Sequence, residues 1–200
     1  MGKFQSSKIF DGFSTVFRQH TAEETHCRFV HGYGISFKVY FEGELDNRNW
    51  VWDFGGMKRA KTLIDGMQPK AWMDYMFDHT MVIAEDDPAI NAFKQMETAG
   101  VAQVRIIPAT GAEKFAEFIF NKVNPFVFEE TGGRVRVTKV EDFFDVAQAA
   151  TDGFNKPTKR TNLFTRALFA NATFSEFLVK FGTINKKLTD DMHAHGLRSQ

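Results

Sequence analysis

The sharpest pattern along the chain is a strict alternation in which Ile35, Phe37, Val39 and Phe41 interleave with Ser36, Lys38, Tyr40 and Glu42. Successive side chains on a strand point to opposite faces, so this stretch predicts a half-buried strand, apolar inside and polar outside. Before it, Ile9, Phe10, Phe13, Val16 and Phe17 lie among small polar residues and predict a first strand over Ser7–Phe17, interrupted near Gly12. After it, Leu45 to Asn49 reads as a turn, and Asp53 is placed to cap a helix over Met57–Asp65. Lys70–Phe77 can gather Trp72, Met73, Met76 and Phe77 on one helical face and ends at Asp78-His79. The next stretch reads as loop-rich, with a turn at Glu85–Pro88, a helical piece at Ala89–Met96 and a short strand at Val104–Ile107. From Gly111 onward, Ala112, Phe115, Ala116, Ile119, Phe120 and Val123 recur at helical spacing. Gly132-Gly133 then turns the chain into an alternating strand, Val135, Val137 and Lys139, that reaches Glu141, with a further short strand at Phe144–Ala149.

The order strand, strand, helix, helix, strand, strand predicts an α+β domain, with helices on one face of an antiparallel sheet. The character changes near Asn155-Lys156-Pro157, so a domain over 1–150 and a C-terminal extension over 151–200 with one or two helices are expected. Apolar residues at 43% of 200 suffice for one core, and 23 phenylalanines spread along the chain make it a Phe-rich one. The 25 basic residues balance 25 acidic ones, which argues against a nucleic-acid or membrane-surface partner and means that any anionic ligand is held locally. No uncharged apolar run approaches the ~18 residues of a membrane span, and the N-terminus lacks a signal core, so a cytoplasmic protein is expected. The single cysteine, Cys27, allows no internal disulfide.

Candidate chemistry concentrates in His26-Cys27-Arg28-Phe29-Val30-His31-Gly32-Tyr33-Gly34, just ahead of the clearest strand. It sets a thiol, two imidazoles and a phenol in a glycine-flexed turn. Cys27 is either a small buried hydrophobe or a thiolate generated by a nearby base, and Asp78-His79 can supply that base if the fold joins the segments. The bland reading of Asp78-His79 is a helix-end cap beside an exposed histidine.

The cysteine, three intervening residues and then His-Gly resemble the cysteine and His-Gly-His motif of the 6-pyruvoyl- and 6-carboxy-tetrahydropterin synthase family. Further stretches fall in that family's order: Phe13-Ser14, Trp50-Val51-Trp52-Asp53-Phe54 with Met57-Lys58, Phe77-Asp78-His79, Gly111-Ala112-Glu113, and Val135-Arg136-Val137 leading to Glu141. The resemblance implies a tunnelling fold, a four-stranded antiparallel sheet with two helices on one face, assembling into a barrel ring, commonly a hexamer, with sites between subunits. It implies that Cys27 is the nucleophile or proton-transfer thiol, Asp78 and His79 the acid/base dyad, and Glu141 the pterin anchor. A carboxylate suits that last task, because its two oxygens accept paired hydrogen bonds from a ring N–H and an exocyclic amine.

The family also implies a zinc ion held by three histidines, and here the match departs. Only His31 stands in register; Phe17 and Tyr33 occupy the other two ligand positions, and phenylalanine has no ligand atom. A shifted site using His20, His26 and His31 is one alternative, and a protein without zinc is the other. The activity implied is that of a lyase acting on 7,8-dihydroneopterin triphosphate, in the pyruvoyl or the carboxy version; the carboxy version feeds queuosine and other 7-deazaguanines. Lys38, Arg28 and Lys58 are candidate cations for the triphosphate. The alternative function is a non-catalytic pterin- or purine-binding paralogue that keeps the barrel.

Overall fold

The structure, a computed structural model, describes residues 2–145 and the backbone of one strand at 164–170. In chain order the elements are β1 (Phe4–Phe17), β2 (His31–Gly43), α1 (Pro69–Phe77), β3 (Thr80–Ala84), α2 (Ile90–Thr98), β4 (Val104–Ile107), α3 (Ala112–Glu130), β5 (Val135–Asp145) and β6 (Phe164–Ala170). The strands form one sheet in the order β4-β3-β1-β2-β5-β6. β2 pairs antiparallel with β1 and β5, whereas β3 runs parallel to both β1 and β4. The fold is α+β, but the sheet is mixed and six-stranded rather than a four-stranded antiparallel one. The difference comes from β3–α2–β4, a parallel unit in the loop-rich stretch, where the expected helical piece and short strand are α2 and β4 and β3 is the addition.

β3 escapes a sequence reading because Thr80–Ala84 is buried on both faces, and such a strand shows a run of apolar residues rather than an alternation. Val82 joins the main core, while its neighbour Ile83 packs with Phe93 of α2 and Val104 of β4 in a separate cluster. α1 and α3 therefore cover one face of the sheet, and α2 lies on the other. α1 begins with Pro69, pre-set for a first helical turn, and buries Trp72, Met73, Met76 and Phe77, as its periodicity predicts. α3 buries Phe115, Ile119 and Val123 along one stripe. The expected helix over Met57–Asp65 is absent: Asp53 caps a short 3-10 turn at Phe54–Lys58, its carboxylate accepting from the Gly55 N–H at 2.8 Å. Positive backbone angles at Asp65 (φ 48°) and Gly66 (φ 80°) then stop any helix there; Met57 is buried from the 3-10 turn, and Ala60 and Ile64 from the irregular chain after it.

The core is built on the inward residues of β1 and β2. Phe10, Phe13 and Phe17 of β1 and Ile35, Phe37, Val39 and Phe41 of β2 are all buried. Phe10 and Phe13 are an odd number of residues apart, so an unbroken strand would send them to opposite faces. A bulge reconciles them. Phe10 pairs with Phe37 and Phe13 with Ile35, so Asp11 and Gly12 together face the single residue Ser36, and Gly12 takes φ 87°, a conformation natural to glycine. A second bulge lies in β5, where Val137 pairs with Phe41 and Lys139 with Tyr40, leaving Thr138 as the extra residue. The Val137 N–H goes instead to the Asn124 side chain of α3, at 2.9 Å.

The chain divides into a unit over Met1–Phe169, which holds this core, and Ala170–Gln200, of which only Ala170 is described. Within the stretch expected to be helical, Phe164–Ala170 is a strand beside β5; the rest of the extension and the expected strand beyond Asp145 lie outside the described residues. No helix of the described residues is long and apolar enough to cross a membrane.

Phe37 has no exposed surface and meets the rings of Phe13 and Phe77 at 5.8 and 4.9 Å. Phe37→Ala is expected to lower unfolding free energy by about 3–5 kcal/mol, measured as a shift of the urea midpoint at unchanged slope.

Candidate active site

The end of the sheet where β2 begins collects most of the singled-out residues. Register sets Phe17 opposite His31, and alternation carries Tyr33 to the same face. The Phe17 ring lies 5.8 Å from that of His31 and 5.3 Å from that of Tyr33, and the His31 and Tyr33 rings are 4.8 Å apart. Phe115 of α3 and Phe144 of β5 close the cluster against Phe17, at 4.8 and 5.7 Å. His31 Nδ1 is 2.7 Å from the Phe29 carbonyl. A carbonyl only accepts, so Nδ1 carries the proton; Nε2 then accepts from the Tyr33 hydroxyl at 2.7 Å. His20 is elsewhere engaged, 3.9 Å from Asp86 and 4.0 Å from Asp87. Among the described residues no group of three or more His, Cys, Asp or Glu is placed to hold a metal ion. The ligand set that the family resemblance implies does not fit the residues present, because Phe17 has no lone pair to offer an ion.

Cys27 is half-buried in a 3-10 turn, His26–Arg28, capped by Thr25. Its carbonyl accepts from the Gln19 N–H at 2.8 Å. Gln19 also presses on Gly111, ahead of α3, where an added Cβ would meet its Nε2 at 2.6 Å. With φ 119° as well, only glycine fits position 111, and the Cys27 loop is thereby seated at the head of α3. No hydrogen bond or ion pair among the described residues joins Cys27 to Asp78 or His79.

Those two form a dyad of their own at the other side of β1. Asp78 Oδ1 takes the His79 Nδ1–H at 2.9 Å and the Ser14 backbone N–H at 3.3 Å. The carboxylate thus fixes the imidazole tautomer, leaving Nε2 as the basic nitrogen of a side chain that is 78% exposed. His79 itself has φ 55°, a left-handed conformation that costs a non-glycine residue roughly 1–2 kcal/mol. His79 thus combines a left-handed backbone, an imidazole oriented by a carboxylate and a side chain presented to solvent.

β5 offers two adjacent carboxyl groups with opposite surroundings. Glu141, the expected anchor, lies on the outer face, where it accepts from Tyr40 Oη at 2.7 Å and Lys139 Nζ at 2.6 Å. Asp142 points inward beside Val140 and Phe144 and is fully buried, and among the described residues its oxygens meet no hydrogen-bond donor beyond a weak approach of the Phe143 N–H. Burial, and secondarily the charge of Glu113 in the first turn of α3, push its carboxyl well above the usual aspartate range, against a smaller opposing pull from the Phe143 N–H. Sequence reasoning missed Asp142 because the bulge at Thr138 reverses the facing of everything beyond it.

A family model described as 6-pyruvoyl tetrahydropterin synthase matches residues 8–147. The chain belongs to the 6-pyruvoyl tetrahydropterin synthase family. Comparison with curated proteins gives no match. Among solved structures, an uncharacterized protein from Wolinella succinogenes superposes with a TM-score of 0.60 at 18% identity, covering 86% of this chain and all (100%) of that one. The 6-pyruvoyl tetrahydropterin synthase of Caenorhabditis elegans matches at TM-score 0.48 and 16% identity over 86% of this chain and 98% of that one. The Plasmodium vivax 6-pyruvoyl tetrahydropterin synthase gives TM-score 0.45 and 12% identity over 73% and 94%. The family segment spans both carboxyl groups of β5, the Asp78–His79 dyad and the Cys27 loop.

A carboxyl whose pKa is raised on folding favours the native state only while protonated. Its contribution is complete below the unfolded value, near 3.8, and is lost as pH rises through the higher folded value. Asp142→Asn is expected to remove that loss: thermal midpoints of variant and parent should converge at acid pH, with the variant higher at neutral pH. Parallel midpoints across the whole range would show that Asp142 does not titrate anomalously.

Proposed function

We propose that this protein is a tetrahydropterin-synthase-like lyase acting on 7,8-dihydroneopterin triphosphate, with its site completed between subunits of a homo-oligomer. The observation that carries the reading is the dyad: His79 is held in a strained backbone conformation with its tautomer set by Asp78 and its Nε2 turned outward. In this reading His79 takes and returns protons at the substrate side chain, and the Cys27 thiol acts on the opposite side of the same carbons. The product in this reading is the 6-pyruvoyl or the 6-carboxy compound, the latter a precursor of queuosine and other 7-deazaguanines.

The anchor for the pterin ring in this proposal is Asp142 rather than Glu141. Glu141 already accepts two side-chain hydrogen bonds, whereas Asp142 accepts none from a side chain among the described residues. A neutral pterin presents a ring N–H and an amine side by side, and two such donors would repay the ionisation of a carboxyl that burial keeps protonated. Binding then releases a proton from Asp142.

No hydrogen bond or ion pair among the described residues joins Cys27 to the Asp78–His79 dyad, and in this proposal a second copy brings them together. β1 supports this. Among the described residues β3 pairs with its outer side only over Thr15–Phe17, which leaves the edge from Phe4 onward without a described strand neighbour, and Phe4 and Ile9 on it are 50% and 55% exposed. An uncovered edge of that length is a template for strand pairing with another chain.

A second reading, a pterin-binding protein without catalysis, is favoured by Phe17 and Tyr33 at the metal-ligand positions. Two measurements separate the possibilities. First, Cys27→Ala and His79→Ala should each abolish turnover of dihydroneopterin triphosphate. Mixing them after dissociation and reassembly should restore about a quarter of the parent rate, since a 1:1 mixture pairs the two intact halves in one site in four. No turnover in the parent, with pterin still bound, establishes the binding protein. Second, Asp142→Asn should lose pterin affinity by at least about tenfold while Glu141→Gln keeps it; the reverse result returns the anchor to Glu141.

A further inference from the structure

We infer that the Phe17–His31–Tyr33 corner is a three-ligand metal site converted to metal independence, with the Tyr33 hydroxyl standing where an ion would meet His31 Nε2. The inference concerns these three side chains alone and holds for a lyase or a binding protein equally.

Three observations carry it. The first is the backbone. A cross-strand pair, Phe17 and His31, plus the residue two further along, Tyr33, projects three rings from one face of two adjacent strands toward a common point. The second is the spacing. An ion bound by three imidazoles at about 2.0–2.1 Å lies about 3.2 Å from each ring centroid, and near-tetrahedral angles then set the centroids roughly 5 Å apart. The observed separations of 4.8, 5.3 and 5.8 Å bracket that figure. The third is the tautomer of His31. Its Nδ1–H is held by the Phe29 carbonyl at 2.7 Å, the outer contact that orients a metal-bound imidazole and leaves Nε2 as the donor nitrogen. That nitrogen is instead satisfied by Tyr33 at 2.7 Å.

The exchange is chemically coherent. Phe17 offers no lone pair, and its ring is buried and packed against Phe115 and Phe144. The corner has kept its shape while trading three coordination bonds for ring packing and one hydrogen bond. Two substitutions should therefore reverse it. Phe17→His with Tyr33→His rebuilds three convergent imidazoles on a scaffold that already orients one of them.

The test is zinc retention, which needs no turnover. Parent protein, Phe17→His/Tyr33→His, and the double variant carrying His31→Ala in addition would each be equilibrated with equimolar zinc, desalted, and assayed for bound metal and thermal midpoint. We expect no zinc and an unchanged midpoint for the parent, one zinc per chain with a zinc-dependent rise in midpoint for the double variant, and loss of both when His31 is removed. Stoichiometric zinc on the parent that disappears in His31→Ala overturns the inference. So does a folded double variant that holds no more zinc than the parent. If the double variant does not fold, Tyr33→His alone is titrated with zinc: binding at least about tenfold tighter than the parent supports the conversion, and equal binding overturns it.

Discussion

The pairing of β1 with β2 is the constraint on which everything else rests. Its register decides which face each side chain occupies, and it does so for the core and for the chemistry at once. Phe10, Phe13 and Phe17 meet Phe37, Ile35 and His31, so a line of core residues runs without a break into the His31–Tyr33 corner. The outer face receives Lys38, Tyr40 and, from β5, Glu141, which satisfy one another. α1 and α3 then pack where the phenylalanines already are. α3 in turn brings Glu113 over Asp142 and, through Gly111 and Gln19, fixes the loop that carries Cys27.

How much of this could be read from the residues depended on whether the local signal and the tertiary role agreed. Ile35–Phe41 alternates because one face is wet, and it is a strand. Ala112–Val123 repeats at helical spacing because one stripe is buried, and it is a helix. Asp53 caps the turn it precedes, and the breaks at Gly12 and Gly132-Gly133 lie where glycine's freedom is used. The failures have equally local causes. Met57, Ala60 and Ile64 mimic helical spacing, yet each is buried from a chain that Asp65 and Gly66 turn aside. Thr80–Ala84 has two buried faces and so carries no period to detect.

The candidate site was legible as a set of residues and not as an arrangement. Cys27, Asp78, His79 and His31 stand in the order of a known family, and the family match covers them all. Their distances are a property of the sheet, which sets the dyad on one side of β1 and the buried carboxyl beyond β2. No pattern in one sequence reports a left-handed histidine or an unpartnered aspartate. Both arise because surrounding structure holds a side chain or a backbone in a state that it would not choose alone.

The bulge at Asp11–Gly12 gives β1 something like a parity bit. Phe13, Thr15 and Phe17 owe their inward address to one uncounted residue opposite Ser36. Were the chain shortened there by that residue, composition, hydropathy and strand length would barely change, but Phe13, Thr15 and Phe17 would swap sides with Ser14 and Val16. The same holds for Thr138 and the choice between Glu141 and Asp142. Loss or gain of a single codon at either point would therefore be a route by which relatives of this chain could exchange which residues are buried chemistry and which are surface, without altering one of those residues.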